Sequence, residues 1–247
     1  MKAQGRRLVQ AGQADPAVVA VDQTLIPAQG RTPHRGRRAP RGADLEGGWG
    51  FSEHHQWVYG SSLEVVVTAT EGSLVVPLLA SVGPGNAAAS TGLLAQVKHL
   101  PAQTQYALGD RAYDTNACGE AVEYAPDGTP TGRHLVCPLI GRAGKPKVGR
   151  CRRRGRRERL RRRRAKRLAF FQSAKGRRLY DRRRKTVEPF MEWFKHKFDL
   201  HDRVWHRGLP NNQTQLLLAV LGYQLLVRYH HRAGGLDACV QWILDGL

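Results

Sequence analysis

The sequence predicts an α/β protein: a mixed sheet of about five strands, flanked by helices and carrying one basic insert. Three observations lead there. Short β-branched runs alternate with segments of helical period along residues 17–232. Apolar residues make up 41% of the 247, enough for a real core. The net charge of +20 is concentrated in one place. Residues 141–185 hold 23 Lys and Arg against two acids, Glu158 and Asp181, so the remainder of the chain sums to about −1. A near-neutral body with one intensely basic segment points to a polyanionic partner, nucleic acid first.

Taken in order, residues 1–16 read as a ragged polar lead-in. Ala17–Thr24, AVVAVDQT, is a β-branched run containing Asp22. On its own the octapeptide reads more readily as a strand with a turn aspartate than as a ligand. Residues 29–50, rich in Gly, Pro and Arg, read as a long mobile loop. Trp57–Thr70 and Ser73–Val82 read as a strand pair around the Glu71-Gly72 turn, with Pro77 placing the second at an edge or a bulge. His54 and His55 precede this pair and read more readily as loop histidines than as ligands. Thr91–Pro101 is a short helix stopped by its proline. Tyr106–Leu108 is a brief strand running into Gly109-Asp110, with Asp114 four residues on. Asn116–Tyr124 is helical, and His134–Ile140 is a further buried strand.

The arginine blocks of 141–185 have too little apolar periodicity to fold alone, and are expected to become helical against a phosphate backbone. Next comes Leu179–Phe198, LYDRRRKTVEPFMEWFKHKF. On one continuous helix, Tyr180, Arg184, Glu188 and Lys195 fall within an arc of roughly 80°. Pro189 opens an alternative, in which it starts a new helix and leaves Glu188 at the N-terminus. Gln215–His231 is a strongly apolar helix, and residues 233–247 form a tail with a short helix. Crossovers between parallel strands are expected to be right-handed.

The same survey disfavours several classes. The N-terminus lacks the apolar core of a signal peptide. The longest apolar stretch, Leu216–Val227, is too short to span a bilayer, so no membrane partner is expected. Cys118, Cys137, Cys151 and Cys239 show neither a C-x-x-C pair nor zinc-ligand spacing. A cytosolic protein is expected. Asp22 and Asp110 each sit where a strand should end, and Glu188 lies among cations. Hydrolysing a phosphodiester with Mg²⁺ needs several oxygen ligands, and these three acids could supply them.

These pieces together resemble the DDE transposases of bacterial insertion sequences, whose core is ribonuclease-H-like. The resemblance covers roughly residues 17–230. VAVDQT is similar to the family's first-strand aspartate motif, and WVYGSSLEV to its second strand. LGDRAYDT resembles the D-x-G/A-Y-D element around the second aspartate. Arg184-x3-Glu188-x6-Lys195 matches the spacing of the third motif, Tyr-x2-Arg-x3-Glu-x6-Lys, with Tyr180 one residue too far upstream. RGLPNNQTQLLLAVL resembles the closing helix.

The resemblance implies a metal-binding catalytic triad of Asp22, Asp110 and Glu188. It implies two Mg²⁺ ions about 4 Å apart, replaceable by Mn²⁺, and phosphoryl transfer on DNA. It implies that Arg184, Lys195 and Tyr180 contact DNA. The partners would be transposon ends and target DNA, with a homodimer on DNA left open, in a bacterial cytoplasm at the nucleoid. The domain would span 17–232, with 141–185 inserted in it. Because 21 residues precede Asp22, an N-terminally truncated core without an end-recognition domain is expected. A DNA-binding remnant without catalysis is the alternative.

Overall fold

The computed structural model describes residues 1–34, 40–52, 56–138 and 154–232. His54 and His55, Arg35, Arg37 and Arg38, the first part of the basic insert, Cys151, Cys239 and the tail from 233 lie outside these residues. The described elements are α1 (Lys2–Gln10), β1 (Val18–Pro27), β2 (Gly48–Ser52), β3 (Gln56–Thr68) and β4 (Pro77–Pro84), followed by α2 (Ala89–Gln96), β5 (Tyr106–Leu108), α3 (Asn116–Glu123) and β6 (His134–Val136), and finally α4 (Arg154–Gln172), α5 (Ala174–Lys197) and α6 (Leu209–Arg232).

The sheet runs β2-β3-β1-β5-β6, and β4 pairs with β3 beyond β2. β1 is antiparallel to β3 and parallel to β5, and β5 is parallel to β6. This is the mixed α/β sheet the sequence predicts, with helices on its faces and a ribonuclease-H-like order. The first four residues of β1 are fully buried, as a central strand covered on both faces requires. Pro77 opens β4, which pairs only with β3, and the β3–β4 register slips at Val66/Val67, so the proline has both its edge and its irregularity.

Side-chain alternation assigns the faces. Asp22 lies opposite Val65, and Gln23 opposite Glu64. Directly opposed residues share a face, and neighbours along a strand do not. Asp22 meets α5 through Arg183, whereas Glu64 meets Gln96 of α2. The third motif and the first aspartate therefore share one side, and α2 covers the other. On the Asp22 side α5 and α6 lock together, with Phe190 and Trp193 each edge-on to Tyr223.

Four expectations are corrected. Residues 2–10 are a helix rather than ragged, because Leu8 is fully buried and Gln4 nearly so. The supposed loop at 29–50 ends in β2, whose glycines hide the strand signal. There Trp49 and Phe51 pair edge-on with the opposed Tyr59 and Trp57. The loop's described residues are also tied down. The buried Asp44 carboxylate accepts from Gly208 N (3.0 Å) and Asn212 Nδ2 (3.2 Å), and Glu46 accepts from Leu209 N at 2.7 Å. Two acids thus satisfy the orphan amides at the start of α6, where negative charge suits the helix dipole.

The third correction concerns the basic insert, which reads as too polar to fold by itself. From Arg154 it is helical, as α4 and the start of α5, and arginines of α4 pair with acids of the fold. Arg163 pairs with Glu120 (3.1 Å), Arg164 with Asp114 (2.6 Å) and Arg167 with Glu123 (3.6 Å). The fourth concerns Pro189, which starts no new helix. α5 runs straight through it, although the ring supplies no amide hydrogen to the Lys185 carbonyl. Val187, Phe190, Met191 and Phe194, all buried around it, offset that loss.

Candidate active site

Asp22 sits halfway along β1, where full burial gives way to partial exposure. Asp110 follows β5 by two residues and caps a single 3₁₀ turn, Arg111–Tyr113, its Oδ1 accepting from Ala112 N at 2.8 Å. The expectation that Asp22 ends its strand is also corrected, since β1 runs on beside β3 to Pro27. But β1 and β5 are parallel and pair only as far as Ala20 and Leu108, so Asp22 and Asp110 each lie two residues beyond the same end of that ladder. Glu188 comes from α5, half-exposed, across the Asp22 face.

One side chain connects them. The buried Arg183 guanidinium donates from Nη2 to Asp22 Oδ1 at 2.9 Å and from Nη1 to Glu188 Oε1 at 2.8 Å. Burial works against its charge, but Asp22, Asp110, Tyr180 and Glu188 outweigh that and raise its pKa. Asp22 is pushed up to about 6, first by burial and then by Asp110 and Glu188, with Arg183 and the Gln23 amide pulling the other way. All three predicted acids therefore lie in one electrostatic neighbourhood, in which burial first, and then Asp110 and Glu188, hold Asp22 above the usual carboxylate range.

The other predicted residues divide. Tyr180 is half-buried, edge-on to Phe171 at 5.2 Å. Burial raises its phenol, and Arg183, Arg184, Asp110 and Glu188 all act on it, so it borders the site. Arg184 is exposed on α5. Lys195 is buried and pairs with Glu192 at 3.5 Å, rather than with the clustered acids.

Two residues escaped the sequence reading. Arg183 is the first. The spacing Tyr180-x2-Arg183 satisfies the front half of the third motif, whereas Arg184-x3-Glu188 satisfies the back half. An extra residue lies between the halves, and the fold turns Arg183 inward and Arg184 outward. Glu64 is the second. Only 2% exposed, it accepts from Gln96 Nε2 (2.8 Å) and Tyr113 Oη (3.0 Å). Burial, with Asp22 and Asp110, lifts it to about 8 against the Tyr113 hydrogen bond. Its signal was a lone acid inside an apolar strand, LEVVV.

The donor chemistry suits a hard divalent cation, since every predicted ligand is a carboxylate. Among the described residues no three His, Cys, Asp or Glu side chains stand close enough to enclose an ion. The Arg183 guanidinium supplies the positive charge between Asp22 and Glu188 instead. No described helix is long and apolar enough to cross a membrane.

Acids placed by a central strand, by the loop after its parallel neighbour and by a helix packed across them fit an α/β domain of ribonuclease-H-like type. The chain matches the family described as the transposase DDE domain over residues 13–225, and it belongs to that family. No curated protein and no solved structure matches it.

Proposed function

We propose that this chain is the catalytic domain of a DDE transposase, cutting and joining DNA strands with divalent metal held by Asp22, Asp110 and Glu188. The observation that supports it best is Arg183, one guanidinium spanning two predicted acids in the field of the third. A set of carboxylates that gathers a buried cation in this way is suited to positive charge. Mg²⁺ bound there, or Mn²⁺ in its place, would activate an attacking water or 3′-hydroxyl and stabilise the departing 3′-oxygen.

The chain's own residues do the rest. Arg183 releases the carboxylates and turns to a DNA phosphate, a bidentate partner suited to its fork. Arg184, exposed on the next position of α5, adds a second phosphate contact. Lys195 stays with Glu192 and steadies α5, and Tyr180 closes the flank of the site. Glu64, held by Gln96 and Tyr113, fixes the opposite face of the β1–β3 pair. Two such chains acting at paired ends would suit a homodimer on DNA.

The test is nicking of supercoiled plasmid with Mg²⁺, Mn²⁺ or EDTA, beside Asp110→Ala. Metal-dependent nicking that vanishes in the variant is expected. Equal nicking by both proteins would sink the assignment.

The Arg183 ion pairs also favour a second reading, a DNA-binding protein in which Asp22 and Glu188 stay neutralised and no strand is cut. It predicts binding that is indifferent to EDTA, with no product at any metal concentration.

A further inference from the structure

A second chemistry lies at the other end of the sheet. β5 and β6 are parallel, and Tyr106 is paired with His134 at their starting ends, away from Asp110. Phe170 of α4 joins these two rings. Centroid separations are 5.7 Å for Tyr106–His134, 5.8 Å for Tyr106–Phe170 and 5.4 Å for His134–Phe170, and the planes lie within 22° of parallel. In a linear stack of three, the outer pair would be twice as far apart as the neighbours. Near-parallel rings this close cannot lie side by side in one plane, so they are offset-stacked in a three-membered cluster and each covers part of its neighbours' faces. His134 is the member that stays exposed, and Tyr106 and Phe170 are only half-buried, so the patch is open to solvent.

Cations surround it. A cleft of about 270 Å³ is lined by His134 and Phe170 together with Tyr124, Arg133, Arg163 and Lys166. That is near the lower end of the range for small-molecule sites, roughly 300–1,000 Å³. The Arg163 guanidinium lies 3.3 Å above the Tyr124 ring centroid while it pairs with Glu120. Arg133 Nη2 donates to the Leu100 and Pro101 carbonyls at 3.3 and 3.2 Å. Lys166 and Lys175 are exposed, with Lys175 Nζ 5.0 Å from the Tyr106 ring centroid. Packing of α4 on the sheet accounts for the Phe170 contact. The β5–β6 register accounts for the Tyr106–His134 contact; what neither explains is an imidazole left exposed beside two exposed lysines.

We propose that this cleft binds single-stranded DNA, stacking an unpaired base on the Tyr106–His134–Phe170 patch while Lys166 and Lys175 hold the flanking phosphates. Flat aromatic faces beside cations are what an unpaired strand offers a fit for, and stacking contributes about 1–3 kcal/mol per base. Duplex DNA hides its base faces and would use only the cations. The choice of DNA rests on the transposase reading, but the site needs no metal and no carboxylate of the cluster.

Binding of fluorescein-labelled oligothymidylate to the full chain, followed by anisotropy in EDTA, isolates this site from strand cleavage. His134→Ala is expected to weaken binding about fivefold or more, and His134→Phe, which keeps a ring, to restore it. Lys166→Ala should reduce the magnitude of the slope of log K against log[salt] by about 0.7, the single-strand value per phosphate, and Lys2→Ala, on α1, should leave it unchanged. Should His134→Ala fold poorly, photocrosslinking of 5-iodouracil-substituted oligonucleotide to the unmodified chain supplies the readout, with adducts expected on the Tyr106, His134 or Phe170 peptides. Three results would overturn the proposal: undiminished single-strand affinity in a folded His134→Ala, a loss of duplex affinity in that variant as large as the loss for the single strand, or adducts only elsewhere. Failure of plasmid nicking would leave it standing.

Discussion

At the residue scale, Arg183 and Glu64 are buried groups handled in opposite ways: Arg183 keeps its charge by pairing with Asp22 and Glu188, and Glu64 keeps its proton. Arg183 neutralises the cluster from the α5 side. Arg183→Gln removes that charge and leaves Asp22 partly buried against Asp110 and Glu188. Breaking a buried pair from one side costs about 3–5 kcal/mol, so a fall in Tm is expected in EDTA. Added Mn²⁺ should recover much of that fall, and more than it gains for the unmodified chain, because the ion no longer competes with a guanidinium. A variant whose Tm ignores Mn²⁺ would argue against a metal-binding cluster. Glu64 instead stays neutral, with its pKa raised from 4.5 to about 8. A carboxyl whose folded pKa is raised binds its proton more tightly when folded. Its stabilising contribution is complete below the unfolded value and is lost as pH rises through about 8. Each unit of difference corresponds to about 1.4 kcal/mol. Asp22, raised to about 6, loses its part lower on the scale. Denaturant unfolding should therefore show stability falling between pH 6 and 8, and Glu64→Gln should flatten that window. An unchanged slope in Glu64→Gln would contradict the assignment.

At the scale of the element, α4 is where sequence and structure part most. Its arginines carry little apolar periodicity, so the segment reads as an unstructured polycation. The acids that order it, Asp114, Glu120 and Glu123, lie some 40 to 50 residues earlier, and local pattern cannot reveal them. β2 and α1 were missed for a related reason, since their partners, Tyr59 and Trp57 for β2 and the core around Leu8 for α1, are distant too. Strands with β-branched runs were legible, as was Asp110 just past β5. Asp22 reads as ending its strand, because the polar Gln23 and Thr24 hide how far β1 continues beside β3. Glu188 was legible by spacing. Arg183 was not, because choosing between adjacent arginines depends on which one α5 turns inward. Gly119 tests how α4 is held. A methyl group there would collide with Arg167 Nη1, on the cation paired with Glu123. Gly119→Ala should push Arg167 aside and cost about 1–3 kcal/mol of docking. Limited trypsin digestion should then cut α4 sooner than in the unmodified chain. Equal digestion rates would show that these ion pairs do not anchor the helix.

Across the whole molecule, the charge of +20 is not one undivided DNA-binding surface. Arg163, Arg164, Arg167 and Arg183 are committed to acids of the fold. Arg161, Lys166, Arg178, Arg184 and Lys185 are exposed along α4 and α5 and can meet phosphates. The two groups should separate in salt titrations. Each phosphate neutralised contributes about −0.9 to the slope of log K against log[salt] on duplex DNA. Arg161→Ala should reduce the magnitude of that slope by about one while leaving the melting temperature near that of the unmodified chain. Arg164→Ala should do the reverse, leaving the slope intact but freeing Asp114, whose carboxylate is almost wholly buried, and so lowering stability. If both variants shift the slope equally, with unchanged stability, the insert acts as a uniform polycation and its internal ion pairs do not persist in solution. If they separate, the same arginine-rich segment serves two purposes. One face is spent folding α4 onto α3 and the 3₁₀ turn, and the other stays free for the strand that the acids of Asp22, Asp110 and Glu188 would cut.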